Sequence, residues 1–209
     1  MENIITFEEI EKVCDVSRET FTTLMEFATL IEKWNRSINL ISKTTSVSEL
    51  WQRHMIDSMQ LFRFIPTETK VLTDFGSGGG FPGLILSFLG VPEVHLVESD
   101  KRKCAFLREA SLLSKQKVVV HDARIESLTP WKSDIITARG LASLSELLDL
   151  VYPFVDGHTV CLFQKGKHAS EELEDTDAHW AMTIEFLPSM TSSEATILKL
   201  QSIQRKRAL

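Results

Sequence analysis

The sequence predicts an α/β protein: a Rossmann-like, mostly parallel seven-stranded sheet with helices on both faces and an N-terminal helical cap. Three observations carry this. Apolar residues recur at helical spacing in the first 66 residues, short β-rich runs then alternate with helical intervals, and the first of those runs ends in a glycine-rich loop. The change of pattern divides the chain into a cap, 1–66, and a sheet domain, 67–209.

Phe21, Leu24, Met25, Ala28, Ile31 and Trp34 form an amphipathic stripe, so residues 7–34 read as helical. Ser46 to Glu49 matches a capping box ahead of Leu50 and starts a second helix, which runs to about Phe64 before Pro66. Strands are then expected at 71–75, 94–98, 117–121, 135–138 and 159–163, with helices at 82–89, 100–114 and 142–151. Crossovers of that length suit parallel βαβ units. Past Gly166 an acidic segment leads to two more strands, 182–187 and 196–203, which can pair as a closing antiparallel hairpin.

Of the 209 residues, 43% are hydrophobic and 25% charged, a globular composition that excludes collagen-like and disordered classes. Cys14, Cys104 and Cys161 lie too far apart for a disulfide framework or zinc knuckle and fit a reducing compartment. The start carries Glu2, Glu8, Glu9 and Glu11 without a cation, unlike a secretory signal. The longest apolar stretch, 81–91, is broken by Pro82, Gly83 and Gly90, so a cytoplasmic protein without a membrane span is expected. His95 and His121 lack metal-ligand spacing, and no metal is expected.

The 29 acidic residues outnumber the 23 basic ones, yet Glu171, Glu172, Glu174, Asp175 and Asp177 crowd one segment free of Lys and Arg. The rest of the chain is close to balanced, which leaves net charge nearly silent about a nucleic-acid partner. Lys101-Arg102-Lys103 and Arg205-Lys206-Arg207 could collect phosphates, or be a solvated helix start and a frayed tail.

The strongest local signal is the strand at 71–75 running into Gly76, Gly78, Gly79, Gly80 and Gly83 ahead of a helix. Such a turn lets backbone approach a ligand, and Gly78 and Ser77 are candidate contacts. Gly78 to Gly83 also satisfies G-x-G-x-x-G, with Glu98 where a ribose-binding acid would stand. Asp74 would put negative charge where a pyrophosphate should lie, and Pro82 removes an N–H that an anion would use. Both favour S-adenosylmethionine over a dinucleotide. The alternatives are a purely structural turn, an Asp74 that holds that turn through backbone N–H groups, and a Glu98 that caps the next helix.

Lys33-Trp34-Asn35 with Ile38-Asn39-Leu40, Arg53 to Ser58, the Asp74 to Gly83 loop, Arg124-Ile125-Glu126, and Ala138-Arg139 with Lys165-Gly166 together resemble one family. They are similar to the bacterial RsmG-type rRNA methyltransferases, also called glucose-inhibited division protein B, over roughly residues 30–166. The resemblance implies a class I methyltransferase that moves a methyl group from S-adenosylmethionine to guanine N7 in 16S rRNA of the small ribosomal subunit. It also implies cofactor contacts at Gly76, Phe81, Ile125, Glu126 and Arg139. Asp122 competes with Glu126 for the adenine amino group. Gly140 stands where the family usually has alanine, and the region around Ser192-Ser193-Glu194 lacks an arginine expected from similar proteins.

Guanine N7 is unprotonated near neutral pH and needs no general base, so no strictly catalytic residue is named. Asn39, Arg53, His54 and Asp57 are the candidate substrate contacts in the cap. Arg53 and Asp57 are four apart and His54 and Asp57 three apart, so the rival reading makes Asp57 a structural partner for both. Arg139 reads as a positioning group or, alternatively, as an ion-pair partner of Glu146. A small-molecule methyltransferase and a nucleotide-binding protein without chemistry are the competing functions.

Overall fold

Ser and Asp side chains compete with helical backbone bonds, and they set the first break in the chain. The computed structural model describes residues 5–176 and 179–206, so Asp177 and Arg207 of the charged clusters lie outside the described residues. Helix α1 (Phe7–Glu11) opens with a Thr6/Glu9 capping box, and α2 (Arg18–Asn35) with Ser17 as its N-cap. The single helix expected over 7–34 is therefore two, because Cys14 and Val16 leave the helical path to enter the core and Ser17 restarts it.

The second helical run keeps its expected extent but changes pitch three times. Ser46 and Glu49 form the expected capping box on α3 (Val47–Leu50). A wide π turn (Trp51–Ile56) follows, then α4 (Asp57–Met59) and a tight 3₁₀ turn (Gln60–Phe64). Such wide turns free backbone carbonyls and recur at functional sites.

The sheet comprises β1 (Val71–Phe75), β2 (Glu93–Glu98), β3 (Lys117–Asp122), β4 (Ile135–Arg139), β5 (Val160–Lys165), β6 (Trp180–Pro188) and β7 (Thr196–Arg205). Between them lie α5 (Gly83–Phe88), α6 (Lys101–Ser111), α7 (Leu144–Val151) and α8 (Ala169–Thr176). The strand order is β3-β2-β1-β4-β5-β7-β6, parallel through β5, with β7 antiparallel to both of its neighbours. The expected hairpin closes the sheet.

Helix α8 was not expected in the acidic segment. It forms because Ala169 and Thr176 are buried while Glu172 accepts from Lys165 Nζ and from the N–H of Leu144, each at 2.7 Å. Glu172, within the acidic segment, is thus an anchor.

Two apolar clusters flank the sheet. One joins the cap, through Leu24, Phe27, Ile31, Met55 and Met59, to Leu84, Leu86 and Phe106 on α5 and α6, and the other packs Leu147, Leu148, Phe154 and Trp180 on the opposite face. Among the described residues no helix is long and apolar enough to cross a membrane. Strand order reverses across β1 and β4, so a crevice opens at the carboxyl ends of those strands, where ligands of open α/β sheets bind.

Candidate functional site

The glycine loop leaves β1 at that switch point, and its hydrogen bonds show what it can hold. The N–H groups of Gly76 and Ser77 both donate to the Val97 carbonyl, that of Gly78 to Glu98 Oε2 at 3.0 Å, and those of Gly80 and Phe81 to the Ser77 carbonyl. Gly83 donates to Asp74 Oδ2 at 3.2 Å. A pyrophosphate would need these groups free. The loop instead spends them internally and leaves a cradle of backbone without Cβ atoms.

Of its two readings, Asp74 takes the one in which it holds the turn through a backbone N–H. It is fully buried and accepts from Thr137 Oγ1 at 2.8 Å as well as from Gly83, so it holds the turn and faces no ligand. Burial pushes its pKa up to about 6 against the opposing pull of those hydrogen bonds and of Arg139. It disfavours a phosphate by consuming the first N–H of α5, not by projecting charge.

A cleft of about 410 Å³ lies over the loop, lined by Gly76, Gly78, Val97, Glu98, Ile125, Glu126, Gly140 and Leu141, with Lys103 and Arg124 at its rim. Gly76 and Gly78 have φ of +71° and +53°, and a Cβ on Gly76 would fall 2.8 Å from Leu141 Cδ1. Glu98 Oε1 accepts from the N–H groups of Ser99 and Asp100 at 2.8 Å each and so braces the turn before α6, while the helix cap itself is Asp100, which accepts from the N–H groups of Arg102 and Lys103. Glu98 Oε2 has taken only Gly78 and keeps acceptor capacity for a sugar hydroxyl. Asp122 lies 3.7 Å from Arg108 and does not line the cleft, whereas Glu126 does, which favours Glu126 in the adenine rivalry.

Three of the expected cofactor residues do not line this cleft. Ser77 is buried and donates its hydroxyl to the Asp74 carbonyl. Phe81 is buried against Phe27 and His54, with ring centroids 5.5 and 5.3 Å away. Arg139 turns toward the cap.

From the end of β4, Arg139 donates Nη1 to the Arg53 carbonyl at 3.1 Å and lies 3.5 Å from Asp57 Oδ2, while Nη2 meets His54 Nδ1 at 3.0 Å. Its guanidinium also lies 5.2 Å from the Phe81 ring centre. The Arg53 carbonyl belongs to the π turn, so the irregular pitch supplies the acceptor. Glu146 instead closes a capping box with Ser143, and the alternative Arg139–Glu146 pair does not form.

A guanidinium has no lone pair to offer, so His54 Nδ1 must be the acceptor and the proton sits on Nε2. Burial, then the charges of Arg139 and Arg53, lower the His54 pKa to about 4. Asp57 accepts from Gln164, Gln60 and Thr191 as well as Arg139, so it ties cap to sheet. The rival structural reading of Asp57 is the one the geometry supports, with Arg139 as its cation in place of Arg53. Arg53 itself points outward, 3.7 Å from Glu49.

Asn39 is exposed on the loop after α2, and the neighbouring Leu40 carbonyl lies 3.3 Å from where a Cβ on Gly79 would stand. Asn39 thus lies beside the cradle. Gln164 and Thr191 escaped the sequence reading, because only folding brings them, 107 and 134 residues away, to Asp57. His121 stacks on Trp131 and His95 packs tilted against it, with His95 also bonded to Glu93.

Solved structures share this fold. The magnesium protoporphyrin IX methyltransferase of Synechocystis with bound SAH matches with a TM-score of 0.60 at 10% identity, over 89% of this chain and 100% of that one. A ribosomal protein L11 methylase from Lactobacillus delbrueckii matches with a TM-score of 0.58 at 16% identity, over 74% and 79%. Fold and cleft together define a Rossmann-like methyltransferase of the S-adenosylmethionine-dependent class. The chain belongs to the rRNA small subunit methyltransferase G family, whose profile matches residues 20–201. It is 45% identical to the protein of that name from Paramagnetospirillum magneticum, over 96% of this chain and 98% of the relative. To the one from Gluconobacter oxydans it is 46% identical, over 91% and 97%.

Proposed function

We propose that this chain methylates N7 of a guanine in 16S rRNA, free or within the small ribosomal subunit, in the cytoplasm. The 67–209 domain would hold the cofactor and the 1–66 cap would present the base. Bound S-adenosylmethionine supplies a methyl group on a positively charged sulfur, which a guanine N7 lone pair can accept with no proton to remove.

The chain's own work is then placement and exclusion of water, effects worth roughly 7 to 11 kcal/mol of barrier where geometry is good. Gly76 and Gly78 shape the floor, Glu98 offers an acceptor to sugar hydroxyls, and Val97, Ile125 and Leu141 wall an apolar slot, with Glu126 at its edge. Phe81 and Arg139 serve behind the floor, coupling cleft to cap.

The observation that carries a base-free reaction is His54. Its Nδ1 is engaged by Arg139 and its proton is on Nε2, so it can donate a hydrogen bond to a base edge but cannot take a proton. Asn39, exposed beside the loop, is the second substrate contact in this reading. The test is incubation with labelled S-adenosylmethionine and 16S rRNA, 30S particles or free GTP, followed by mapping of the modified atom. Label on guanine N7 of the rRNA supports the reading, and label only on GTP favours a small-molecule enzyme.

A further inference from the structure

Surface cations in this protein fall into two groups. Many are spent on acidic partners, as in Lys33–Glu109, Lys115–Glu19, Lys117–Glu93 and Lys132–Asp156. A smaller set, among the described residues, has no ion pair, hydrogen-bonded side chain or aromatic face. Arg36, Lys43, Lys101, Lys103, Arg124 and Lys167 belong to it, and they share one edge of the molecule. Lys101 and Lys103 follow β2, Arg124 follows β3 and Lys167 follows β5, all at the carboxyl ends of the strands. Arg36 and Lys43 flank the loop whose Leu40 carbonyl touches the Gly79 turn. The remaining two, Lys12 and Lys70, stand apart: Lys70 precedes β1 at the opposite edge of the sheet and Lys12 follows α1.

Exposed ion pairs add little stability, so leaving cations unpaired costs the fold almost nothing. It does leave them ready for an anion, since no existing pair has to break. Arg36 and Lys43 line a groove of about 340 Å³ together with Asn35, Thr45, Ser46 and Leu50, and Glu32 is the one acid on its wall. Asn35 Oδ1 accepts from the N–H groups of Leu40 and Ile41, which pins the loop and with it the groove's shape. Leu50 in the groove wall is one turn before His54, and Asn39 lies on the loop between the groove-lining residues Asn35 and Ile41.

We propose that this groove seats the phosphodiester backbone of the rRNA strand flanking the target base, with Arg36 and Lys43 as its phosphate contacts. The strand then continues past Asn39 into the cleft, where Lys103 and Arg124 meet it on the far rim. The proposal rests on the rRNA reading above and adds the path of the strand. An extended polyanion is favoured over a free phosphate because the cations form a line along one edge, not a closed pocket. Contacts of this kind carry no sequence information and show themselves through salt.

The experiment uses the full chain, a 16S rRNA fragment and 30S particles, and compares wild type with the double variant Arg36→Gln/Lys43→Gln. Expected results are an RNA Kd and KM raised about ten-fold, and a slope of log Kd against log salt reduced by roughly two, about one per lost contact. Cofactor affinity, melting temperature and turnover at saturating RNA should not change. Arg36→Lys/Lys43→Arg should keep the wild-type slope, and Lys12→Gln/Lys70→Gln should match wild type throughout. An unchanged slope and Kd in the double variant overturns the groove assignment, as does equal weakening by the charge-conserving pair. If wild type itself neither binds nor methylates the RNA, it is the functional reading that fails.

Discussion

Asp57 and Arg139, 82 residues apart in sequence, meet at 3.5 Å where the cap closes on the sheet, with side chains 14% and 21% exposed. Burial lowers the pKa of Arg139, and the Asp57 charge opposes that fall. The pair therefore matters more for what its loss would leave behind than for its own attraction. Through Gln60, Gln164 and Thr191 the same carboxylate gathers the cap, β5 and the segment between β6 and β7.

Asp57→Ala strands a largely buried cation and several donors, and should cost about 3 to 5 kcal/mol of stability. Urea unfolding measures it. A loss below about 1 kcal/mol would mean that water reaches the joint freely. Because Arg139 also orients His54, the variant should lose methyl transfer at temperatures where it is still folded.

Two glycines should separate folding from binding. A Cβ at Gly83 would lie 2.4 Å from Leu96 Cδ2 and 2.7 Å from Asp74 Cβ, so Gly83→Ala should destabilise by about 1 to 3 kcal/mol through overpacking. At Gly78 the nearest atom is the Gly76 carbonyl oxygen at 3.7 Å, so Gly78→Val meets no clash and fills the cleft, its cost to the fold being the strain of a branched residue at φ +53°, about 1 to 3 kcal/mol. Wild type should gain roughly 2.7 kcal/mol from S-adenosylmethionine at about 100 times its dissociation constant, and Gly78→Val nothing, while remaining folded. Thermal shift with S-adenosylmethionine and with NAD checks both. Stabilisation by NAD alone contradicts the hydrogen-bond pattern of the loop.

The strands were legible because β-branched runs such as 71–75 and 94–98 carry their own signal, and the capping box expected at Ser46 opens a helix that exists. The glycine loop announced the cleft. What stayed hidden depended on distant partners. Whether Asp74 faces ligand or backbone is decided by Gly83 and Thr137, and whether Arg139 pairs with Glu146 or Asp57 is decided by how the cap docks. The acidic run from Glu171 hid α8 because Lys165 and the α7 N-terminus, which Glu172 holds, are supplied by other elements.

Asp74 gives a stability signature with a definite sign. Its folded pKa of about 6 exceeds the ordinary 3.8, so between those values the folded chain holds a proton that the unfolded chain has released. Its contribution is greatest below about pH 4 and is lost as pH rises through about 6, a difference of roughly 3 kcal/mol. Asp74→Asn cannot titrate and leaves the Gly83 N–H facing an amide. The stability of wild type relative to Asp74→Asn should therefore grow as pH falls from 7 to 4 in urea titrations. A pH-independent difference would show that the folded Asp74 carboxyl keeps its ordinary pKa.

The chemical step should be indifferent to pH across the range in which an ordinary histidine titrates. His54 has its pKa lowered to about 4, so it is neutral from pH 5 to 8, and its one accepting nitrogen is occupied by Arg139. The unfolded chain binds a proton at this position that the folded chain refuses, so His54 weakens the fold as pH drops from about 6.5 toward 4 without touching the reaction above pH 5. Single-turnover methyl transfer at saturating RNA should then be flat from about pH 5 to 8. His54→Gln should retain measurable chemistry, since an amide can donate where Nε2–H did and accept from Arg139, while His54→Ala should lose more in transfer than in cofactor affinity. A wild-type rate that climbs tenfold per pH unit, and a His54→Gln variant that loses that climb, would make His54 a general base. The geometry would then require Arg139 to leave Nδ1 during turnover, and the methylated atom would be one that carries a proton before attack.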